Sequence, residues 1–347
     1  MSLRIIDIAK LANVSPSAVS IALNNKPGIS QETRDKILNI VEEKGYVHKP
    51  NSKSTPVSQN NNKVVNFVAC TNPGIVIDKF ENLPFFTELI RHIGECLSSR
   101  GYSLMISSIN LDNVAEEIKQ FTSEENCNGI ILLGTDLTKE QITFFAEHQP
   151  NIVVVDTCFE TLNVDFVNMN SVLGAYQAAN HLIELGHKRI GYAESTVRIQ
   201  NFELRKKGFL TALHQKGFVL SDRDHFPMLP TLLTSQEKLK EELQQRRNDL
   251  PTAIFCESDY IAISLLKSFK EIGIKVPEEI SIIGFDDIQE TKITSPELSS
   301  IHVPKKEMAL LATDRIIALM EGHAKSKMKM IVDTNIKERG SSRPHSQ

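Results

Sequence analysis

A chain of 347 residues is too long for one ordinary domain and suits a small module beside a larger body. Hydrophobic residues at 41% and charged residues at 24% are the proportions of a globular protein, and no apolar run reaches the roughly 20 residues that span a bilayer, so the composition excludes a membrane protein. The net charge of −4 is unevenly spread: residues 1–62 carry +3 and the remainder −7, as expected for a basic head that meets phosphates on an acidic body.

The opening MSLRIIDIAKLANVS breaks its apolar residues with Asp7 and Lys10, unlike a secretory leader, and the expected setting is the cytoplasm. Apolar residues at 5, 6, 8, 9, 11 and 12 predict a first helix. Asn13-Val14 interrupts it, and Asn tolerates the left-handed backbone of a tight turn. Ser15 is a good N-cap and Pro16 suits the first helical position, so a second helix runs from Pro16 to about Asn24. After the loop Lys26-Pro27-Gly28, Ser30 caps a third helix with a buried stripe of Ile37, Leu38, Ile40 and Val41, stopped by Gly45. Residues 48–63, HKPNSKSTPVSQNNNK, hold two prolines and one apolar side chain, Val57, which is linker composition.

From Val64 onward, apolar runs at 64–69, 103–107, 129–133, 151–156, 189–193, 252–256 and 280–285 alternate with helical stretches such as 85–100, 172–185, 204–216 and 260–272. Alternation of this kind predicts an α/β body of parallel sheets covered by helices. About 280 residues exceed one such sheet and suit two similar lobes, with a ligand in the crevice beyond the carboxyl ends of the strands.

In the head, Ala9, Val14, Val19 and Leu23 facing inward make a helix–turn–helix. Val19 and Leu23 share a face, leaving Pro16, Ser17, Ser20, Ile21 and Asn24 outward as candidate DNA contacts, joined by Ser30 and Thr33 at the start of the third helix. The alternative is an ordinary three-helix bundle with a solvated face.

The stretch IIDIAKLANVSPSAVSIALNNKPGISQETRDKILNIVEEKGYVHKPN resembles the amino-terminal domain of the lactose-repressor (LacI) family of bacterial transcriptional regulators. The resemblance continues through HLIELGHKRIGY at 181–192, RKKGFLTAL at 205–213, FCESDYIAI at 255–263, GIKVPEEISIIGFDDI at 273–288, SPELSSIHVP at 295–304 and IKERGSS at 336–342. It implies a repressor with an all-α helix–turn–helix head before a two-lobed, periplasmic-binding-protein-like body. It also implies a homodimer on a near-palindromic double-stranded operator, and a small-molecule effector that is usually a sugar and sometimes a nucleobase. On this pattern residues 1–48 form the DNA-binding domain, 49–63 the hinge and 64–340 the ligand-binding and dimerisation body. Lobe one takes 64–168 plus 299–329, lobe two takes 169–298 plus 330–340, and 341–347 form a polar tail. That tail has no leucine heptads, so a dimer is expected rather than a tetramer.

Two departures from the family pattern stand out. Ile21 occupies a position where the family usually has Arg; Arg reads guanine through two hydrogen bonds, whereas Ile can only pack on a thymine methyl. The linker lacks the family's short hinge helix pattern, with Ser52, Ser54, Thr55, Pro56 and Val57 in its place. Val57 falls on the position of the leucine that wedges into the minor groove, but Pro56 costs a helix interior roughly 3 kcal/mol.

No catalytic constellation is present in the sequence, and an enzyme is not expected. His181 and His187 flank a helix end without a neighbouring nucleophile and read as packing residues. The five cysteines, Cys70, Cys96, Cys127, Cys158 and Cys256, are widely spaced without metal-ligand pairing and read as reduced core residues, so neither metal nor cofactor is expected.

Arg205 matches the family arginine that reaches into the ligand crevice, and its fixed fork of donors suits vicinal hydroxyls or a carboxylate. Asp286 follows the strand 280–285 and matches the family's ligand-contacting acid; Asp287 is read as a cap, with turn chemistry as the alternative for either. Ser258 and Asp259 follow the strand 252–256, where Asp259 is equally read as an acid favoured in a helix first turn. Thr71 and Asn72 end the first strand, Phe86 is either a stacking surface or core, and Asp156 and Asn170 end later strands. Two readings from other classes compete: a solute-binding or sugar-processing protein with an incidental head, and a regulator answering to a protein partner.

Overall fold

The computed structural model describes residues 5–23, 28–44, 63–72, 74–110 and 127–345, and the chain divides into two compact units, 1–60 and 61–347. Asn24, Val57 and nearly all of the linker lie outside the described residues.

The first unit contains helices α1 (Ile5–Ala12), α2 (Pro16–Leu23) and α3 (Gln31–Glu43). Ile8, Ala9, Ala12, Val19, Ala22 and Ile37 form its core, with Val14, Leu23, Ile29, Ile40 and Val41 packed against it. Asn13 adopts φ 55°, the left-handed turn that the sequence called for. The hydroxyl of Ser15 accepts the N–H of Ala18 at 3.2 Å and that of Ser30 accepts the N–H of Thr33 at 3.3 Å, so both predicted caps are in place. Leu38 corrects the predicted stripe: it is 41% exposed, because one residue beyond Ile37 turns it about 100° away from the core.

The second unit holds two six-stranded sheets. Sheet one runs in the order β11-β5-β4-β3-β1-β2, from strands Val64–Thr71 (β1), Ser103–Asn110 (β2), Cys127–Leu133 (β3), Ile152–Val155 (β4), Asp165–Met169 (β5) and Lys329–Val332 (β11), all in parallel. Sheet two runs β12-β10-β9-β8-β6-β7, from Ile190–Ser195 (β6), His225–Met228 (β7), Ala253–Cys256 (β8), Ser281–Asp286 (β9), Ser299–His302 (β10) and Asn335–Lys337 (β12). Only β12 is antiparallel to its neighbour. The first sheet is packed by helices α4 (Pro84–Ser99), α5 (Lys139–His148) and α10 (Lys305–Met320), and the second by α6 (Ser171–Glu184), α7 (Gln200–Gln215), α8 (Glu237–Gln245) and α9 (Asp259–Glu271). Each lobe thus buries strands on both faces, as continuous apolar runs such as IVVV and AIFC require.

The chain crosses between lobes at 170, at 303–304 and at 333–334, which corrects the expected bounds at the last two crossings. Residues 299–302 belong to lobe two, where Ser299 to His302 pair in parallel with Ile283 to Asp286. Residues 330–332 belong to lobe one, paired with Val167 to Met169. Strands such as SSIH and KMIV are four residues long and partly polar, so their pairing is decided by neighbours that lie far away in sequence. The expected polar tail is also part of lobe two as far as 345: Ser341 is fully buried, donates to the carbonyl of Ile282 at 2.6 Å and accepts the N–H of Ser299 at 2.8 Å. His187 lies beneath it, 3% exposed, with its ring nitrogens 2.9 Å from the Thr252 hydroxyl and 3.2 Å from the carbonyl of Arg343.

Candidate functional site

In the head, Pro16 and Ser17 are exposed at the start of α2 and Ser30 at the start of α3. The hydroxyls of Ser15 and Ser17 lie 2.8 Å apart, and so do those of Ser30 and the half-buried Thr33. Ile21, one turn after Ser17, is half-buried, and its Cδ1 would lie 3.6 Å from a Cβ on Gly28. Ser20 lies on α2, but its side chain is outside the described residues.

In the body, the carboxyl ends of β4 and β9 and the first turns of α7 and α9 enclose a cavity of about 50 Å³, room for on the order of four ordered waters. Five of the sequence candidates line it: Phe86, Asp156, Arg205, Ser258 and Asp286. Asp156 (φ 63°) and Asp286 (φ 111°), with Asp287 (φ 50°), are three of the five non-glycine residues at positive φ among the described residues. Strained backbone of this kind persists only where the surroundings over-determine it, and it gathers at ligand sites.

Arg205 is 3% exposed, and its guanidinium lies 3.7 Å from the ring centre of Phe285. Its fork donates to the carbonyl of Glu257 at 2.5 Å and to the carboxylate of Asp286 at 3.0 Å, while among the described residues its Nε has no hydrogen-bond partner. Burial pushes the Asp286 carboxyl above its ordinary range, against the opposing pull of Arg205 and Lys305. Lys305 is itself 2% exposed, donates to the Asp286 carbonyl at 2.9 Å and sits 3.3 Å from the Glu88 carboxylate.

Asp156 is also buried. Burial raises its carboxyl to about 7, although Thr135 donates a hydroxyl hydrogen bond to it and Arg205 lies near. Asn201 donates from Nδ2 to the Asp156 carbonyl at 2.9 Å and carboxylate at 3.2 Å, and accepts from Asn168 at 2.8 Å. The arrangement gives a ligand a mixed carboxyl, guanidinium and amide surface beside the apolar faces of Phe86 and Phe202. Phe86 lines the cavity and packs edge-on against Phe80 and Phe85 at 6.2 and 5.6 Å.

The remaining candidates are not brought to this cavity. Thr71 donates to the carbonyl of Ile109 at 3.5 Å, and Asn72 accepts the N–H of Gly74 at 2.5 Å. Asn170 caps α6 by accepting the N–H of Leu173 at 3.0 Å. Asp259 is fully buried, accepting the N–H of Ile288 at 3.0 Å and the hydroxyl of Ser300 at 2.7 Å. It fits there because position 284 is glycine; a Cβ at Gly284 would fall 2.1 Å from the Asp259 carboxylate. Asp287 is tied by His302 and Arg339, whose hydrogen bonds outweigh burial and hold its carboxyl well below the ordinary range.

Thr135, Asn201, Phe202 and Tyr260 also line the cavity and were not singled out from the sequence. A signal existed for two of them: Asn201 and Phe202 stand four and three residues before Arg205, on the same face of one helix.

Among the described residues, no helix is long and apolar enough to cross a membrane.

The family model described as bacterial regulatory proteins, lacI family, matches residues 4–51, and that of a periplasmic binding protein-like domain matches residues 179–342. The chain is 30% identical over 316 residues to the ribose operon repressor of Haemophilus influenzae, covering 90% of each chain. It is 29% identical over 343 residues to the HTH-type transcriptional regulator MalR of Clostridium butyricum, covering 96% of this chain and 98% of that one. Its fold matches that of the lac repressor dimer bound to operator and the anti-inducer ONPF with a TM-score of 0.69 at 18% identity, over 99% of this chain and all of that one.

Proposed function

This chain belongs to the lacI family of bacterial regulatory proteins, and from that premise we propose that it represses transcription by binding a near-palindromic operator as a homodimer, under control of a sugar or sugar derivative held between its lobes. It is a regulator and not an enzyme.

The observation that carries the effector reading is the buried Arg205–Asp286 pair at 3.0 Å, facing a cavity that also receives Asp156 and Asn201. An arginine fork, carboxylates and an amide around vicinal hydroxyls, with Phe86 and Phe202 against the apolar face of a ring, are the groups that recognise a sugar. We assign ligand contact to Phe86, Asp156, Asn201, Arg205, Ser258 and Asp286. A cavity of about 50 Å³ is smaller than a monosaccharide, so the effector enters by parting the lobes.

For the operator, the support is the exposed start of α2, with Pro16, Ser17 and Ile21 on the recognition helix, together with the +3 charge of residues 1–62. The name of the Haemophilus influenzae relative says that it represses a ribose operon, which favours a sugar over a nucleobase as effector. A thermal-shift screen of the full chain with pentoses, hexoses, disaccharides and nucleosides tests the effector reading. A sugar should raise the melting temperature, and a response to nucleosides alone would replace it.

A further inference from the structure

Helix α7 divides the space between the lobes. Asn201, Phe202 and Arg205 line the effector cavity, while Gln200, Leu204 and Lys207, from its other face, line a second cavity of about 500 Å³. That volume is within the range of small-molecule sites and ten times that of the first. Lobe one contributes Lys139 and Lys329 to it, and lobe two contributes Lys207 and the start of α6.

Three lysines face one carboxylate, that of Glu160. Lys329 donates to a neutral carbonyl, that of Leu162, at 2.7 Å, and the ammonium of Lys139 lies 5.7 Å from the Phe159 ring centre. None of the three lysines pairs with a carboxylate within 4.0 Å among the described residues. The surplus is therefore cationic and lies in a concave place, which focuses the field and favours opposite charge.

A second observation points to the same chemistry. Ser171 opens the 14-residue helix α6, is 1% exposed and lines the cavity, and among the described residues its hydroxyl has no hydrogen-bond partner. The N–H groups of a helix first turn lack intrahelical acceptors and carry the positive end of the helix dipole. A free hydroxyl donor, a helix N-terminus and three lysines together match an oxyanion with several charges.

We propose that this second cavity binds a small polyanion bearing phosphate or carboxylate groups, at a site distinct from the effector cavity. The wall between the two is thin, because Asn168 lines the second cavity and hydrogen-bonds Asn201 of the first at 2.8 Å. The test must therefore separate them.

Isothermal titration calorimetry of the full chain with inorganic pyrophosphate and with citrate provides the test. Binding of at least one probe is expected, weakened at least about tenfold by the combined change Lys207→Gln and Lys329→Gln, since each charge-assisted contact is substantial. Glu160→Gln, which removes the one carboxylate lining the cavity, should strengthen binding severalfold. Arg205→Lys, in the other cavity, should leave it in place. Lys207 is exposed and Lys329 half-buried, so the double variant should melt within a few degrees of the parent. Absence of binding by both probes, an affinity indifferent to the two lysine changes, or loss through Arg205→Lys alone would each overturn the proposal. The last would place the anion in the effector cavity, and indifference would place it on the basic head. Because the effector plays no part in these titrations, failure here leaves the repressor reading untouched.

Discussion

The hydroxyl of Tyr260 accepts the backbone N–H of Phe85 at 3.2 Å, so the first turn of α9 in lobe two is tied to the first turn of α4 in lobe one beside the proposed effector cavity, which both residues line. Lys305 adds a second tie, reaching from α10 of lobe one to the carbonyl of Asp286 in lobe two at 2.9 Å. Both join one lobe to the other.

Tyr260→Phe removes the acceptor and leaves the Phe85 N–H buried without a partner when closed but hydrated when open, a difference of about 1–3 kcal/mol against closure. Effector affinity, measured by calorimetry, should fall about tenfold, and small-angle scattering should show a more open body. Unchanged affinity would mean that the bond contributes nothing to closure.

Arg205 and Asp286 are buried together, so removing one strands the other. Arg205→Met should cost about 3–5 kcal/mol in a denaturant titration, and adding Asp286→Leu should restore part of that loss, because an uncompensated buried charge is costlier than none. Both variants should lose effector response while the head still binds DNA. Simple additivity of the two stability losses would show that the pair is not coupled.

Two buried groups oppose each other in pH. Burial raises the Asp156 carboxyl from its ordinary 3.8 to about 7, so its stabilising contribution is complete below about 4 and is lost as the pH rises towards 7. His187 is lowered by burial from 6.5 to about 4, so its contribution is complete above 6.5 and is lost as the pH falls towards 4. The slopes nearly cancel in between. Asp156→Asn should therefore steepen the loss of stability between pH 7 and pH 5, and His187→Gln should flatten or reverse it, each by on the order of 1–2 kcal/mol. Denaturant midpoints at the two pH values check this, and identical pH dependence in all three proteins would contradict it.

The alternation of strands and helices was legible in the sequence because apolar runs such as NIVVVD and ISIIGF are long and uninterrupted. β10 and β11 were not, since four partly polar residues acquire their pairing only from β9 and β5. The resemblance located Arg205 and Asp286, which share a cavity although they stand 81 positions apart. It did not locate Tyr260 or Thr135, because nothing local marks a hydroxyl that a second lobe brings to the same space. Asp259 shows the converse: a charged residue after a strand resembles a site, whereas Gly284 and Ser300, distant in sequence, enclose its carboxylate inside the lobe.

Ile21 offers no hydrogen bond to a base and packs near Gly28. If it meets a thymine methyl, Ile21→Arg should shift the half-site preference from A·T to G·C by roughly 1–3 kcal/mol. An operator-variant binding screen reads this directly, and a guanine preference already present in the parent protein would remove Ile21 from the reading surface.

On the proposed function, a dimer binds the operator with an affinity that an effector sets. Selection from a randomised duplex pool with the full chain, followed by anisotropy titration of the selected sequence across a salt series with and without the sugar found in the thermal screen, tests it most directly. The expected result is a near-palindromic site, an affinity falling linearly with salt on logarithmic axes, loss of binding when residues 1–48 are removed, and a shift of at least about tenfold with the sugar. Selection of no preferred sequence, or equal affinity with and without residues 1–48, would contradict it.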